Sequence, residues 1–201
     1  ALNWQTPEGI TVKPLYTAAD LAGLAHADTL PGFAPFVRGS RASGYLAQAW
    51  EVSQEIACAG AAEFNDQARA GLTRGLTALN VVLDKATRNG ADPDWAQPAE
   101  VGSGGLSVAS LGDLERALDG IDLAKVPLFI RSGASGMPFA AVLVALCRKR
   151  GVDLASLRGC IEVDPLGVLA HEGRLPQSLA GAYREMAALT EWAERHAPRL
   201  Q

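Results

Sequence analysis

The sequence predicts an α/β fold built on parallel strands, and three observations carry that prediction. Short apolar runs rich in β-branched and aromatic residues recur at 76–84, 106–110, 126–132 and 160–164. Segments with helical apolar spacing separate or follow them, at 111–118, 138–150 and 178–196. Turns such as Gly133-Ala134-Ser135-Gly136 mark the passage from one kind of segment to the other. Strands alternating with helices pair in parallel, because each return to the sheet needs a crossover. An open doubly wound sheet and a (β/α)8 barrel both satisfy the pattern, and four strand–helix units make only half of the barrel.

The composition fits such a fold. In 201 residues, 48% are hydrophobic and 20% charged, enough for one large domain or a domain with an arm. A net charge of -4 gives no broad attraction to nucleic acid or an anionic membrane, and neither is expected as a partner. No apolar run approaches the roughly 20 residues that span a bilayer, and no basic-then-apolar leader opens the chain. Cys58, Cys147 and Cys160 are odd in number and widely spaced. They read as free thiols of a reducing compartment, and the cytoplasm is the expected location.

Residues 1–58 read as an amino-terminal arm with the start of a first helix, and 59–201 as the α/β domain. In the arm, Gly9–Tyr16 alternates, Thr17–Leu24 suits a brief helix, and Pro31, Gly32, Pro35 and Gly39 break up the next stretch. Trp4, Tyr16, Phe33, Phe36, Tyr45 and Trp50 are anchors for packing on the chain's own domain or on another subunit. Val52, Ile56, Ala59, Phe64 and Ala68 predict helical structure over 51–74, interrupted near Gly60. After the first strand, 85–104 is rich in turn signals and reads as a long loop. The third strand leads through Ser135, a capping candidate, and Pro138 into a helix that ends on Arg148-Lys149-Arg150 and Gly151.

Alternation along the strands separates two faces. Leu79, Val81, Leu128, Ile130, Ile161 and Val163 fall on an apolar one. Asn80, Asp84, Arg131, Glu162 and Asp164 fall on the other, a placement that suits a wet or ligand-filled interior. A closed structural network, with Arg131 paired to Glu162, Asp84 or Asp164, accounts for the same residues equally well. Several of these groups fall at carboxyl ends of strands, where both candidate folds place their sites.

An ordered series of segments carries a resemblance. GITVKPLYT (9–17), LPGFAPFVRG (30–39), Trp50, LDKATRNGADPD (83–94), LERALDGIDL (114–123), SGASGMP (132–138) and GCIEVDPLG (159–167) together resemble the amino-terminal half of the methylmalonyl-CoA mutase family. The resemblance implies the first half of a (β/α)8 barrel, preceded by an extended arm, whose interior takes the pantetheine of an acyl-CoA. It also implies a second barrel half and a cobalamin domain outside this segment. Adenosylcobalamin is then a cofactor of the complete assembly, with none bound by this fragment.

The departures from the family pattern bear on activity. Catalytic chains carry Arg-Gln-Tyr after the tryptophan, whereas Ser53-Gln54-Glu55 stands here, with Glu55 in the place of the catalytic tyrosine. The family's Ala-Thr-His-Arg-Gly is Ala86-Thr87-Arg88-Asn89-Gly90, and the glutamine of its fourth strand is Glu162. The pattern is most similar to the non-catalytic small subunit of heterodimeric mutases, which implies a catalytic large subunit, or the remainder of the barrel, as partner. No catalytic or metal-binding residue is then expected. Candidate substrate contacts are Asn80, Asp84, Arg88, Arg131, Glu162 and Asp164, with acyl-CoA a possible ligand. Two other readings are a divergent catalytic mutase with altered substrate, and an α/β CoA- or phosphate-binding protein using the 132–136 turn. His26, His171 and His196 lack metal-ligand spacing, and Ser135 lacks a nucleophile-elbow motif.

Overall fold

A computed structural model describes residues 2–47 and 49–200. The chain divides into two compact units, Ala1–Trp50 and Glu51–Gln201.

In the first unit, β1 (Trp4–Gln5) pairs antiparallel with β2 (Thr11–Val12), and Gln5 Nε2 donates to Thr11 Oγ1 at 2.7 Å. The predicted helix after Thr17 is a single 3₁₀ turn, Ala18–Leu21, closed by the Thr17 amide donating to Asp20 Oδ2 at 2.7 Å. Hydrogen-bonded turns make up much of the rest, and none of the unit's described residues is buried. Its six predicted aromatic anchors are all exposed.

The second unit is α/β. Three parallel strands, β3 (Leu79–Val82), β4 (Leu128–Arg131) and β5 (Gly159–Glu162), lie in that order in one sheet. Their register aligns Leu79, Leu128 and Gly159 at one end and Val82, Arg131 and Glu162 at the other. Leu79, Val81, Leu128, Ile130 and Ile161 are buried and join the main core. Phe64 and Ala68 of α1 (Ala61–Thr73), Leu114 of α3 (Leu111–Ala117) and Leu143 of α4 (Gly136–Arg150) complete it. Ser110 caps α3 with a capping box to Asp113. Arg150 donates to the carbonyls of Leu118 (2.8 Å) and Glu115 (3.0 Å), so the basic end of α4 satisfies the end of α3.

In this unit the structure departs from the sequence reading at five places. Residues 51–60 are not helical. The Val52 carbonyl accepts from Thr77 N and Ala78 N, Glu55 bridges Asn80 in parallel, and Ile56 and Cys58 point into the core. Pairing with β3 overrides the helical spacing, and α1 begins only after Gly60. Leu106–Ser110 is not a strand of the sheet. Leu106 alone bridges Leu83, on the β3 edge that Glu55 occupies further back. Within the expected loop lies a one-turn helix, α2 (Lys85–Arg88). A further helix, α5 (Pro165–Glu172), follows β5 before the predicted helix, α6 (Leu179–His196). The α4 helix starts at Gly136, with no side-chain cap from Ser135, whose hydroxyl donates to the Thr87 carbonyl instead.

Gly159 opens β5 with φ +124°, a region closed to side chains, and a Cβ there would run into the Leu128 carbonyl. Gly159→Ala is expected to destabilise the protein by about 2 to 5 kcal/mol, read as a lowered urea midpoint with unchanged slope.

Candidate functional site

The carboxyl ends of β3, β4 and β5 each turn at once into a helix, and short polar side chains make those turns. Asp84 is fully buried and caps α2, its Oδ1 accepting from Thr87 N (2.8 Å) and its Oδ2 from Gly102 N (2.6 Å). Asp164 caps α5 by accepting from Gly167 N at 2.8 Å. Ser132 Oγ donates to the Glu162 carbonyl at 2.6 Å and ties β4 to β5. The Gly133–Ser135 turn is committed to packing. Ala134 N donates to the Arg88 carbonyl at 2.8 Å, Ser135 N to Ser132 O at 3.0 Å, and a Cβ on Gly133 (φ +59°) would lie 2.9 Å from the Arg88 carbonyl. These donors hold α2 against the turn and are not presented as a phosphate cradle.

On the sheet face opposite the helices, Arg131 sits between two carboxylates. Its Nη1 lies 3.6 Å from Glu55 Oε2 and its Nε 3.5 Å from Glu162 Oε2. Arg131, Glu55 and Glu162 side chains are 50, 48 and 49% exposed, so solvent screens both pairs and neither adds much stability. The expected pairing with Glu162 is present. Asp84 and Asp164 are not partners of Arg131 among the described residues, because each is spent on a helix cap.

Arg131 and Glu162 open on a cavity of about 240 Å³, shared with Arg88 and Asp164. Four of the six predicted site residues therefore meet, while Asn80 and Asp84 stand outside its lining. Asn80 lies one row back on the same face, level with Phe129 and Cys160. Its Oδ1 is buried without a hydrogen-bond partner among the described residues, a costly arrangement that calls for a donor. The sequence reading set Glu55 in the place of the catalytic tyrosine but put it in a helix and left it off the candidate contacts, whereas it bridges Asn80 and pairs with Arg131. It also missed Asn89, His171 and Glu172, which line the cavity. Gly167, Val168, His171 and Glu172 recur at the spacing of one helix face, a signal open to anyone who had recognised α5.

The three cysteines are free thiols; Cys58 and Cys147 are buried and Cys160 half-buried. Burial, and then the neighbouring Glu162 carboxylate, push the Cys160 thiol above its ordinary range, which keeps it protonated and poorly nucleophilic near neutral pH. Among the described residues no cluster of His, Cys, Asp and Glu is arranged to hold a metal, and no helix is long and apolar enough to cross a membrane.

Comparison with known proteins adds a family. Residues 5–201 match the family described as methylmalonyl-CoA mutase. The chain is 34% identical over its whole length to a methylmalonyl-CoA mutase of Cereibacter sphaeroides, covering 28% of that protein. It is 37% identical over 82% of its length to one from Rhizobium meliloti, and 36% identical over 82% to a methylmalonyl-CoA mutase large subunit of Streptomyces virginiae, covering 23% of each. The chain thus spans under a third of the length of these relatives.

Two outcomes test the site's construction. Asp84→Ala leaves two backbone donors unpaired and is expected to cost about 2 to 4 kcal/mol in chemical denaturation, whereas Glu55→Gln changes stability by no more than about 0.5 kcal/mol. Cys160 is expected to react with a thiol reagent more slowly than free cysteine at pH 7.5, with a rate still rising at pH values where free cysteine has levelled off. A fast reaction that plateaus near pH 8 would contradict the raised thiol pKa.

Proposed function

Because the chain belongs to the methylmalonyl-CoA mutase family, we propose that it forms the first half of an acyl-CoA mutase barrel in the small, structural subunit of a heterodimeric isomerase. The assembly interconverts methylmalonyl-CoA and succinyl-CoA. The observation that carries the small-subunit reading is Glu55. It stands where catalytic chains resemble one another in a tyrosine, and it is ion-paired to Arg131 across β3. A carboxylate there repels an acidic acyl group and offers no ring to stack on it.

The half-barrel is supported by the sheet itself. All three strands are parallel, the segment around Glu55 lies on the outer edge of β3 as a preceding strand would, and Leu200 bridges Gly159 in parallel on the outer edge of β5. The partly polar face carrying Asn80, Arg131 and Glu162 becomes the interior. The unpaired Asn80 Oδ1 then faces groups supplied by the rest of the barrel. The exposed aromatics of residues 1–50 support a role for that segment in covering a catalytic large subunit.

Adenosylcobalamin belongs to this reading as the radical source of the complete assembly. The cavity at the strand ends, about 240 Å³, lies below the roughly 300–1,000 Å³ of ordinary small-ligand pockets, and its residues do not fit a corrinoid. No step through the cofactor follows from this chain. A second reading, a divergent mutase with altered substrate, is favoured by one observation: Arg88 and Arg131 line the same cavity.

The deciding experiment titrates the full-length protein with a catalytic large subunit and follows adenosylcobalamin-dependent conversion of methylmalonyl-CoA. Turnover is expected only in the mixture, with no detectable conversion by the protein alone. Robust turnover without a partner would remove the structural-subunit reading and favour the divergent enzyme.

A further inference from the structure

The sheet of the second unit has two outer edges, and each opens beside a groove. On one side, β5 from Cys160 to Val163 runs along a groove of about 610 Å³ bounded by Met186, Leu189 and Ala193 of α6. Leu200 takes only the Gly159 level of this edge. On the other side, the extended segment at 52–56, which pairs with β3, runs along a groove of about 470 Å³ bounded by Ala70 and Gly71 of α1. Both edges belong to parallel pairings, so one of each kind can satisfy the other.

The two grooves carry opposite free charges. Arg74 stands in the groove of α1 and Glu194 in that of α6, both exposed and neither in an ion pair among the described residues. The other charges in the two linings, Glu55 and Glu162, are each taken up by Arg131 of their own chain. Arg74 and Glu194 also lie at the same level. Arg74 is the C-cap of α1, shortly before β3 starts at Leu79. Glu194 is in the last turn of α6, shortly before Leu200 bridges Gly159 at the start of β5. Since Leu79 and Gly159 share one end of the register, both charges stand at the amino-terminal end of the sheet.

The geometry points to a second copy of this chain as the occupant of both edges, with β5 of each copy beside 52–56 of the other and Arg74 of each facing Glu194 of its neighbour. Each copy brings four parallel segments, 52–56 with β3, β4 and β5, so two copies supply eight. A contact between unlike surfaces runs on into a filament unless the rotation closes it, and eight strands is a number at which a barrel fills its own interior with side chains. Closure leaves no edge open. It also brings a second set of side chains to the face holding Asn80, whose buried Oδ1 lacks a donor among the described residues. The inference goes beyond the half-barrel reading and rests on it in taking the sheet as curved toward closure. A second copy then stands in for the remaining half.

The test is sedimentation velocity of the intact chain over a range of concentrations, comparing wild type, Arg74→Glu, Glu194→Arg and the two substitutions together. Wild type is expected to form a discrete dimer, and each single reversal to weaken it at least about tenfold, since each sets two like charges together at both contacts. The double exchange rebuilds the pair with its signs swapped and is expected to restore the dimer to within about threefold of wild type. Thr190→Arg, a bulky charge in the α6 groove, is expected to abolish it. All three positions are exposed, and circular dichroism reports whether each variant is folded. A monomeric wild type, species that keep growing past the dimer, single reversals without effect, or a double exchange no better than the singles would each overturn the assignment. A dimer held by residues 1–50 would ignore these substitutions. The outcome is separate from turnover. A monomer sinks the self-closed barrel and leaves the structural-subunit reading standing, whereas turnover by the protein alone sinks that reading and leaves the dimer to be judged by the charge exchange.

Discussion

Parallel pairing of β3, β4 and β5 in a single register is the constraint on which the rest of the second unit depends. Because side chains alternate, one register sends Leu79, Val81, Leu128, Ile130 and Ile161 together toward the helices. The same register lines up Val82, Arg131 and Glu162 at the carboxyl end of the other face. A slip of one residue would bring the Arg131 guanidinium to the helix side, into the apolar core. The requirement at the other end is equally strict, since the Leu128 carbonyl approaches so closely that only glycine fits at position 159.

The strand ends explain why so many polar groups there are structural. A strand that turns directly into a helix exposes the helix's first N–H groups beside the sheet, and each needs an acceptor. Asp84 and Asp164 meet that need for α2 and α5. Carboxylates at the mouth of such a fold therefore divide into two kinds, those spent on caps and those still facing solvent. Among the described residues, Glu55 and Glu162 are the carboxylates that pair with Arg131.

Much of this was legible in the sequence, where the determinants are local. The runs at 126–132 and 160–164 combine β-branched residues with flanking turn signals, and they give β4 and β5 to within two residues at each end. The Arg131–Glu162 contact follows from alternation on neighbouring strands. Residues 51–58 were misread because Val52 and Ile56 sit four apart, as on a helix face, while the groups that make the segment extended are Thr77, Ala78 and Asn80. Those lie some 25 residues away, beyond any local pattern. The run at 106–110 has strand composition, yet only Leu106 reaches β3. The α5 helix is announced by Asp164 and Pro165, but the strand read over 160–164 took Asp164 as its last residue.

The outer edge of β5 bears on how the chain is handled after synthesis. On the side of β5 away from β4, only Gly159 finds a partner, Leu200, among the described residues. The edge from Cys160 to Val163 runs beside an apolar groove of about 610 Å³ lined by Met186, Leu189 and Ala193 of α6. An open strand edge next to apolar surface is a template for any passing extended chain, including another copy of itself. Whatever completes that edge therefore acts as a solubility device as well as a structural one, and a chain produced without it is the species that chaperones must hold and that concentrated solutions lose to precipitation.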